Sequence, residues 1–161
     1  MSRYMNEEFL TLQRYTPGEQ PRDKKYIKLN TNESPFPPSP EVINAVNDEE
    51  VSNLCLYSDP QSKLIKKAIA QRYKISEEKV FVSNGSDEIL NFAFMLYGKG
   101  KGTLFPDISY GFYKVFGDLY HIDYTEIPLK DDFTIDINDY CNKNKFIVIA
   151  NPNAPTGIAL S

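Results

Sequence analysis

Three short segments hold the residues whose types and spacing could do chemistry. Ser83-Asn84-Gly85-Ser86-Asp87-Glu88 lies between an apolar run and a helical pattern. Gly85 permits a tight reversal, and the N–H groups of a first helical turn have no intrahelical partners, so this turn can hold an anion such as a phosphate. Asp87 and Glu88 would stabilise a helix start on their own account, so taken alone an ordinary capped helix is the simpler reading. The segment is neither a Walker A sequence nor Gly-x-Gly-x-x-Gly. Asp107-Ile108-Ser109-Tyr110-Gly111-Phe112-Tyr113 follows the strand-like Thr103-Leu104-Phe105. Ligands of open α/β sheets sit at such carboxyl ends, and an aromatic side chain there can stack on a planar ring. Phe116 reads as core, whereas Tyr110 suits packing and ligand stacking equally. Asn151-Pro152-Asn153-Ala154-Pro155-Thr156-Gly157 follows the most apolar run of the chain. Its prolines and glycine fix a loop, and its asparagine amides offer donors and acceptors at the same sheet edge.

Other chemistries lack their parts. The chain has one histidine, His121, and two cysteines, Cys55 and Cys141, too few and too scattered for a zinc site or a Ser-His-Asp triad. No metal site is expected. The cysteine usage suits a reducing, cytoplasmic setting. With 18 Lys+Arg against 22 Asp+Glu the net charge is −4, and no basic block exists. That balance argues against nucleic acid or an anionic membrane as partner. No apolar run approaches the roughly 20 residues of a membrane-spanning helix, and the start, MSRYMNEEFL, lacks the pattern of a secretory signal.

The elements that must position these segments follow from the hydrophobic pattern. Residues 1–38 read as an extended arm and a Pro-rich stretch, with a turn cluster at Thr16–Pro21 and four prolines between Asn30 and Pro40. Ser39-Pro40-Glu41 then has the form of a helix start. Asp59-Pro60 opens a helix carrying Leu64, Ile65, Ala68 and Ile69 at helical spacing. Residues 79–83 read as a strand, 86–97 as a helix ending at Gly98, and 103–105 as a strand. A helix over 110–119, a strand over 122–127 and a short helix over 136–141 follow. Residues 145–150, the most apolar, are expected as the central strand. Strands separated by helices imply an α/β fold with a mostly parallel sheet flanked by helices. Residues 39–161 are thus expected to form one partial domain that continues beyond Ser161.

Four segments in register carry a family resemblance. Pro152-Asn153-Ala154-Pro155-Thr156-Gly157 follows an apolar strand, Ser83–Glu88 opens a helix, and Ser109-Tyr110-Gly111-Phe112-Tyr113 lies between them. Upstream stands Lys28-Leu29-Asn30-Thr31-Asn32-Glu33-Ser34-Pro35. The combination resembles the pyridoxal-phosphate-dependent aminotransferases of fold type I, over residues from about Tyr15 to the end. The Leu-Asn-x-Asn-Glu-x-Pro segment and Leu56-Tyr57-Ser58-Asp59-Pro60 resemble the histidinol-phosphate branch of that family in particular.

The resemblance implies a fragment of the large cofactor-binding domain and assigns roles to its residues. Ser86 and Asp87, with Gly85 shaping the turn, would hold the pyridoxal 5'-phosphate phosphate through backbone amides. Tyr110 would lie against the pyridine ring. Tyr57 would reach across a homodimer interface to the partner's cofactor phosphate. Asn30, Asn32 and Glu33 would line the substrate side. Relatives use an asparagine directly before Pro-Thr-Gly for the ring hydroxyl. Here Ala154 holds that place and Asn153, one residue earlier, is the candidate replacement. The implied reaction moves an amino group between histidinol phosphate and 2-oxoglutarate in histidine biosynthesis.

The lysine that carries the cofactor, the carboxylate for the pyridinium nitrogen and the arginine for the substrate carboxylate lie, in the family, beyond the equivalent of Ser161. Lys63, Lys66, Lys67 and Lys79 read as solvated charge. The fragment by itself is therefore expected to be inactive. An aromatic aminotransferase, a threonine-phosphate decarboxylase and a non-catalytic phosphate- or partner-binding module stay open beside the leading reading.

Overall fold

The structure is a computed structural model that describes residues 6–10, 12, 16, 18–21, 23–24 and 26–160. The expected arm and its turn cluster therefore lie partly outside the described residues. The chain divides into two compact units, one of residues 17–82 and one of residues 83–161 together with the first sixteen.

In the unit of residues 17–82, helix α1 spans Pro40–Ala45, with proline at its first position where its missing N–H costs nothing. Helix α2, Asp48–Ser52, is capped by the Asn47 side chain, which accepts from Glu50 N at 3.0 Å. Helix α3 spans Lys63–Tyr73 and starts three residues after the expected Pro60. The delay has a local cause. The Asp59 carboxylate accepts from Gln61 N at 3.0 Å and Lys63 N at 2.9 Å, folding residues 59–62 into a turn that places Ser62 in the left-handed region. Only Ala70 of α3 is buried, and Leu64 stands 87% exposed, so its apolar stripe is largely unpacked among the described residues. The expected strand over 79–83 is a correction: a 3-10 turn covers Glu77–Lys79, and Val80 is extended but joins no ladder. A β-rich composition favours extended backbone, but a strand exists only where an edge is available to pair with it.

The second unit holds a sheet of three parallel strands. These are β1 (Thr103–Pro106), β2 (Tyr124–Ile127) and β3 (Phe146–Ile147), in the order β2-β1-β3. Thr103 pairs with Tyr124 on one side and Phe146 on the other. The centre is thus β1, buried at all four positions, and not the more apolar 145–150 segment. That segment pairs over only two residues, extended by the bond from Val148 N to Leu104 O at 2.9 Å. An apolar run reports how well the faces of a strand are covered, not how many neighbours it has, and here β3 lies at an edge of the described sheet.

Helix α4 spans Gly85–Ala93 and runs on through a π turn, Phe94–Gly98, which brings the fully buried Phe94 over the sheet. Helix α5 spans Phe112–Leu119 and buries Tyr113, Phe116 and Gly117. Phe94, Phe105, Tyr113, Phe116, Ile122 and Val148 form one core. Phe94 lies 5.4 Å from Phe116 and meets Phe146 edge-on at 5.6 Å, spacings at which aromatic pairs attract beyond their burial. A Cβ on Gly117 would run into the Tyr124 ring, which is why α5 can lie so close to β2. The expected helix over 136–141 is a 3-10 turn, Ile137–Asp139, capped by the Asp136 side chain. In the N-terminal residues a 3-10 turn at Glu7–Phe9 interrupts what was expected to be extended. No helix among the described residues is long and apolar enough to cross a membrane.

Candidate functional site

Two side-chain hydrogen bonds join the three segments singled out in the sequence. Asn153 Nδ2 donates to Ile108 O at 2.9 Å, and Tyr110 Oη donates to Asp87 Oδ1 at 2.8 Å. The loop after β3, the loop after β1 and the first turn of α4 are therefore one connected surface. The structure thus brings Gly85, Ser86, Asp87, Tyr110 and Asn153 together through adjoining segments.

The start of α4 is built to leave its amides open. Gly85 has φ +81°, and apart from its chain neighbours and the backbone of its own helix no described atom comes within 4 Å of a Cβ placed there. Asn84 makes no side-chain cap. Glu88 instead reaches back past the turn. Its carboxylate accepts from the Ser83 hydroxyl and from Asn84 N at 2.8 Å, which holds its pKa below the ordinary carboxylate value. That clamp steadies the residues before the helix and spends none of the acceptor on Ser86 N or Asp87 N. Among the described residues no side chain accepts from either amide, and helix geometry gives them no intrahelical acceptor. With the positive end of the helix dipole behind them, they suit a phosphate.

The loop after β1 is fixed at several points. Ser109 Oγ donates to Pro106 O at 2.6 Å, and the Asp107 carboxylate accepts from Ile108 N at 2.8 Å and Leu129 N at 3.0 Å. The Tyr110 ring stacks with Phe112 at 6.1 Å and meets Tyr113 edge-on at 5.6 Å, and it remains half-buried. It is packed from the protein side and partly accessible from the other.

Asn153 is buried, with 6% exposure. Besides Ile108 O, its Nδ2 reaches Thr156 Oγ1 at 3.2 Å, while its backbone bonds with Ile158 and Gly157 close the loop. Its Oδ1 is buried without a hydrogen-bond partner among the described residues. Both donors being engaged, Asn153 offers a ligand an acceptor and not a donor. Asn151 turns away to Leu160, accepting from its N–H at 2.9 Å.

The remaining expected residues belong to the other unit. Asn30 Nδ2 donates to Glu19 O at 2.8 Å, Asn32 sits at φ +54°, and Glu33 pairs with Lys28 at 2.5 Å, so the three share one turn. Tyr57 is fully exposed. Sequence reasoning missed the Ser83–Glu88 clamp and the Ile108 carbonyl. An acid five residues after Ser83 and four after Asn84, at a helix start, signals the first, but a backbone acceptor leaves no trace in residue types.

These features fit pyridoxal phosphate on three counts: uncapped amides for a phosphate, an aromatic face for a ring, and an orphaned buried oxygen for a ring hydroxyl. Comparison with known proteins points the same way. The family model for aminotransferase class I and II matches residues 24–161. A histidinol-phosphate aminotransferase from Brachyspira hyodysenteriae is 51% identical over the whole chain, which spans 46% of that relative. One from Clostridium acetobutylicum is 50% identical over 97% of the chain and 45% of its own length. The chain thus spans about half the length of the curated relatives it matches. Among solved structures, a protein from Erwinia carotovora atroseptica assigned as a histidinol-phosphate aminotransferase superposes with a TM-score of 0.72 at 22% identity, over 81% of this chain and 40% of that one. By the family match, the chain belongs to the class I and II aminotransferases, which as a class depend on pyridoxal phosphate.

Proposed function

We propose that residues 39–161 are part of the cofactor-binding domain of a histidinol-phosphate aminotransferase, acting as a homodimer in the cytoplasm. The observation that carries the reading is the open first turn of α4 joined through Asp87 and Tyr110 to the loop after β1. When bound, pyridoxal phosphate supplies the electron sink that lets an amino group leave one carbon skeleton and join another. The chain's own residues bind and orient. Ser86 N and Asp87 N hold the phosphate, with Gly85 keeping the approach clear. Tyr110 limits the tilt of the pyridine ring, and Asn153 Oδ1 accepts from the ring hydroxyl. Tyr57, fully exposed, reaches the phosphate of the partner subunit. The turn of Asn30, Asn32 and Glu33 lines the substrate side, taking histidinol phosphate as amino donor and 2-oxoglutarate as acceptor. The free, exposed Cys55 and Cys141 suit a reducing compartment.

A chimera tests the reading. Residues 1–161 joined to the remaining portion of the Brachyspira hyodysenteriae relative should transfer the amino group of histidinol phosphate to 2-oxoglutarate, while residues 1–161 alone should not. A soluble chimera that binds pyridoxal phosphate but prefers an aromatic amino donor would overturn the substrate assignment. Turnover by residues 1–161 alone would overturn the division of labour.

A further inference from the structure

The 2.8 Å bond between Tyr110 Oη and Asp87 Oδ1 spans 23 residues and ties the first turn of α4 to the loop after β1. In the proposed binding mode Asp87 meets the ligand through its backbone amide and Tyr110 through its ring. Their side-chain ends meet nonetheless. The Tyr110 backbone is set by the Ser109–Pro106 and Asn153–Ile108 bonds, and its ring is backed by Phe112 and Tyr113. Those contacts fix where the ring starts. The hydroxyl bond fixes where it ends, relative to the helix turn. The acceptor is well placed, because a carboxylate in a first helical turn is stabilised by the helix dipole and a bond to a charged acceptor is among the stronger ones.

We propose that Asp87 is a positioning residue: its carboxylate clasps the Tyr110 hydroxyl and so holds the aromatic face at a fixed distance from the phosphate-binding amides of the same turn. The ligand this selects is one carrying a phosphate and a planar ring on a short link, since both must be met at once. The inference rests on the proposed cofactor site. A rigid pair of half-sites binds a two-part ligand more tightly than two independently mobile halves, because less motion is lost on binding. The clasp therefore acts on the joined ligand and hardly on its parts.

The test is equilibrium binding by residues 1–161 of three probes: pyridoxal phosphate, pyridoxal and inorganic phosphate. Tyr110→Phe keeps the ring and removes the hydroxyl, Asp87→Ala removes the acceptor, and Asp87→Asn keeps one. Tyr110→Phe and Asp87→Ala should each weaken pyridoxal phosphate about fivefold, and the double variant should be no weaker than either alone. Asp87→Asn should restore binding to within about twofold, and inorganic phosphate should change by less than twofold throughout. Near-UV circular dichroism gives a ligand-free reading: Asp87→Ala should alter the tyrosine signal in the parent chain but not in the Tyr110→Phe background. Losses that multiply in the double variant, equal losses for inorganic phosphate, or full binding by Tyr110→Phe would overturn the clasp and leave the site standing. A parent chain that binds neither pyridoxal phosphate nor inorganic phosphate would remove the site, and the clasp with it.

Discussion

Asn153 and Ile108 stand 45 residues apart in the chain, and the side-chain amide of one donates to the carbonyl of the other at 2.9 Å. Through this bond the loop after β3 is held against the loop after β1, so the two carboxyl-end loops move together. Replacing Asn153 by Ala would leave the Ile108 carbonyl without this donor. The expected cost is about 1–3 kcal/mol, read as a lower midpoint in urea unfolding. Asn153→Asp should be no better, since a carboxylate cannot donate.

Phe94 has no exposed surface and touches the ring systems of Tyr113, Phe116 and Phe146. Phe94→Ala should destabilise the unit by about 3–5 kcal/mol, and Phe94→Leu by less, because a smaller cavity remains. Thermal unfolding followed at 222 nm separates the two. Equal melting temperatures for parent and Phe94→Ala would contradict the packing described.

The phosphate reading predicts a particular failure. Ser86→Pro removes one amide from the first turn of α4, where proline is tolerated, so the helix should persist. Inorganic phosphate and pyridoxal phosphate should both bind about tenfold more weakly, measured by equilibrium dialysis, with the far-ultraviolet spectrum unchanged. Retained affinity would place the anion elsewhere.

Glu88 makes the start of α4 sensitive to acid. The Ser83 hydroxyl and the Asn84 N–H favour its charged form and lower its pKa in the folded chain. A lowered folded pKa means the stability is present above the unfolded value and is lost as pH falls through the folded one. Glu88→Gln should therefore show a shallower loss of stability on acidification below about pH 4.5 than the parent does. Asp59, Asp132, Asp136 and Glu41 share the same sign, so the variant keeps the part of the slope that they supply.

At the alkaline end Tyr140 contributes, with Tyr113 and Tyr124 shifted the same way. It is 3% exposed, and burial, with the charges of Asp139 and Asp107, pushes its phenol up to about 12. Because the folded value lies above the unfolded one, its contribution is full below about pH 10 and disappears as pH rises toward 12. Its hydroxyl has no partner among the described residues, so Tyr140→Phe should cost little at neutral pH and flatten the alkaline loss. Unfolding midpoints at pH 7, 10 and 11 would show the difference.

How much of this was legible depends on whether the controlling contact is local. Gly85, Ser86 and Asp87 were readable because the device is contained in consecutive residues: a permissive glycine, then a helix start. Tyr110 was half readable. Its position after a strand was evident, but the Phe112 and Tyr113 contacts on its ring and the bond to Asp87 depend on α4 and α5 being neighbours. The role of Asn153 as a brace was hidden, since its partner is a backbone carbonyl. Strand order was the clearest loss. Hydropathy marked 145–150 as the centre, whereas pairing on both sides belongs to β1, and long-range pairing leaves little imprint on the composition of a single strand.

Gly85 combines a left-handed backbone with open surroundings. The obstacle to any other residue at that position is therefore chirality and not room. A D-alanine installed there by chemical ligation would match the backbone that natural alanine strains against, stiffening the turn while leaving its mouth accessible.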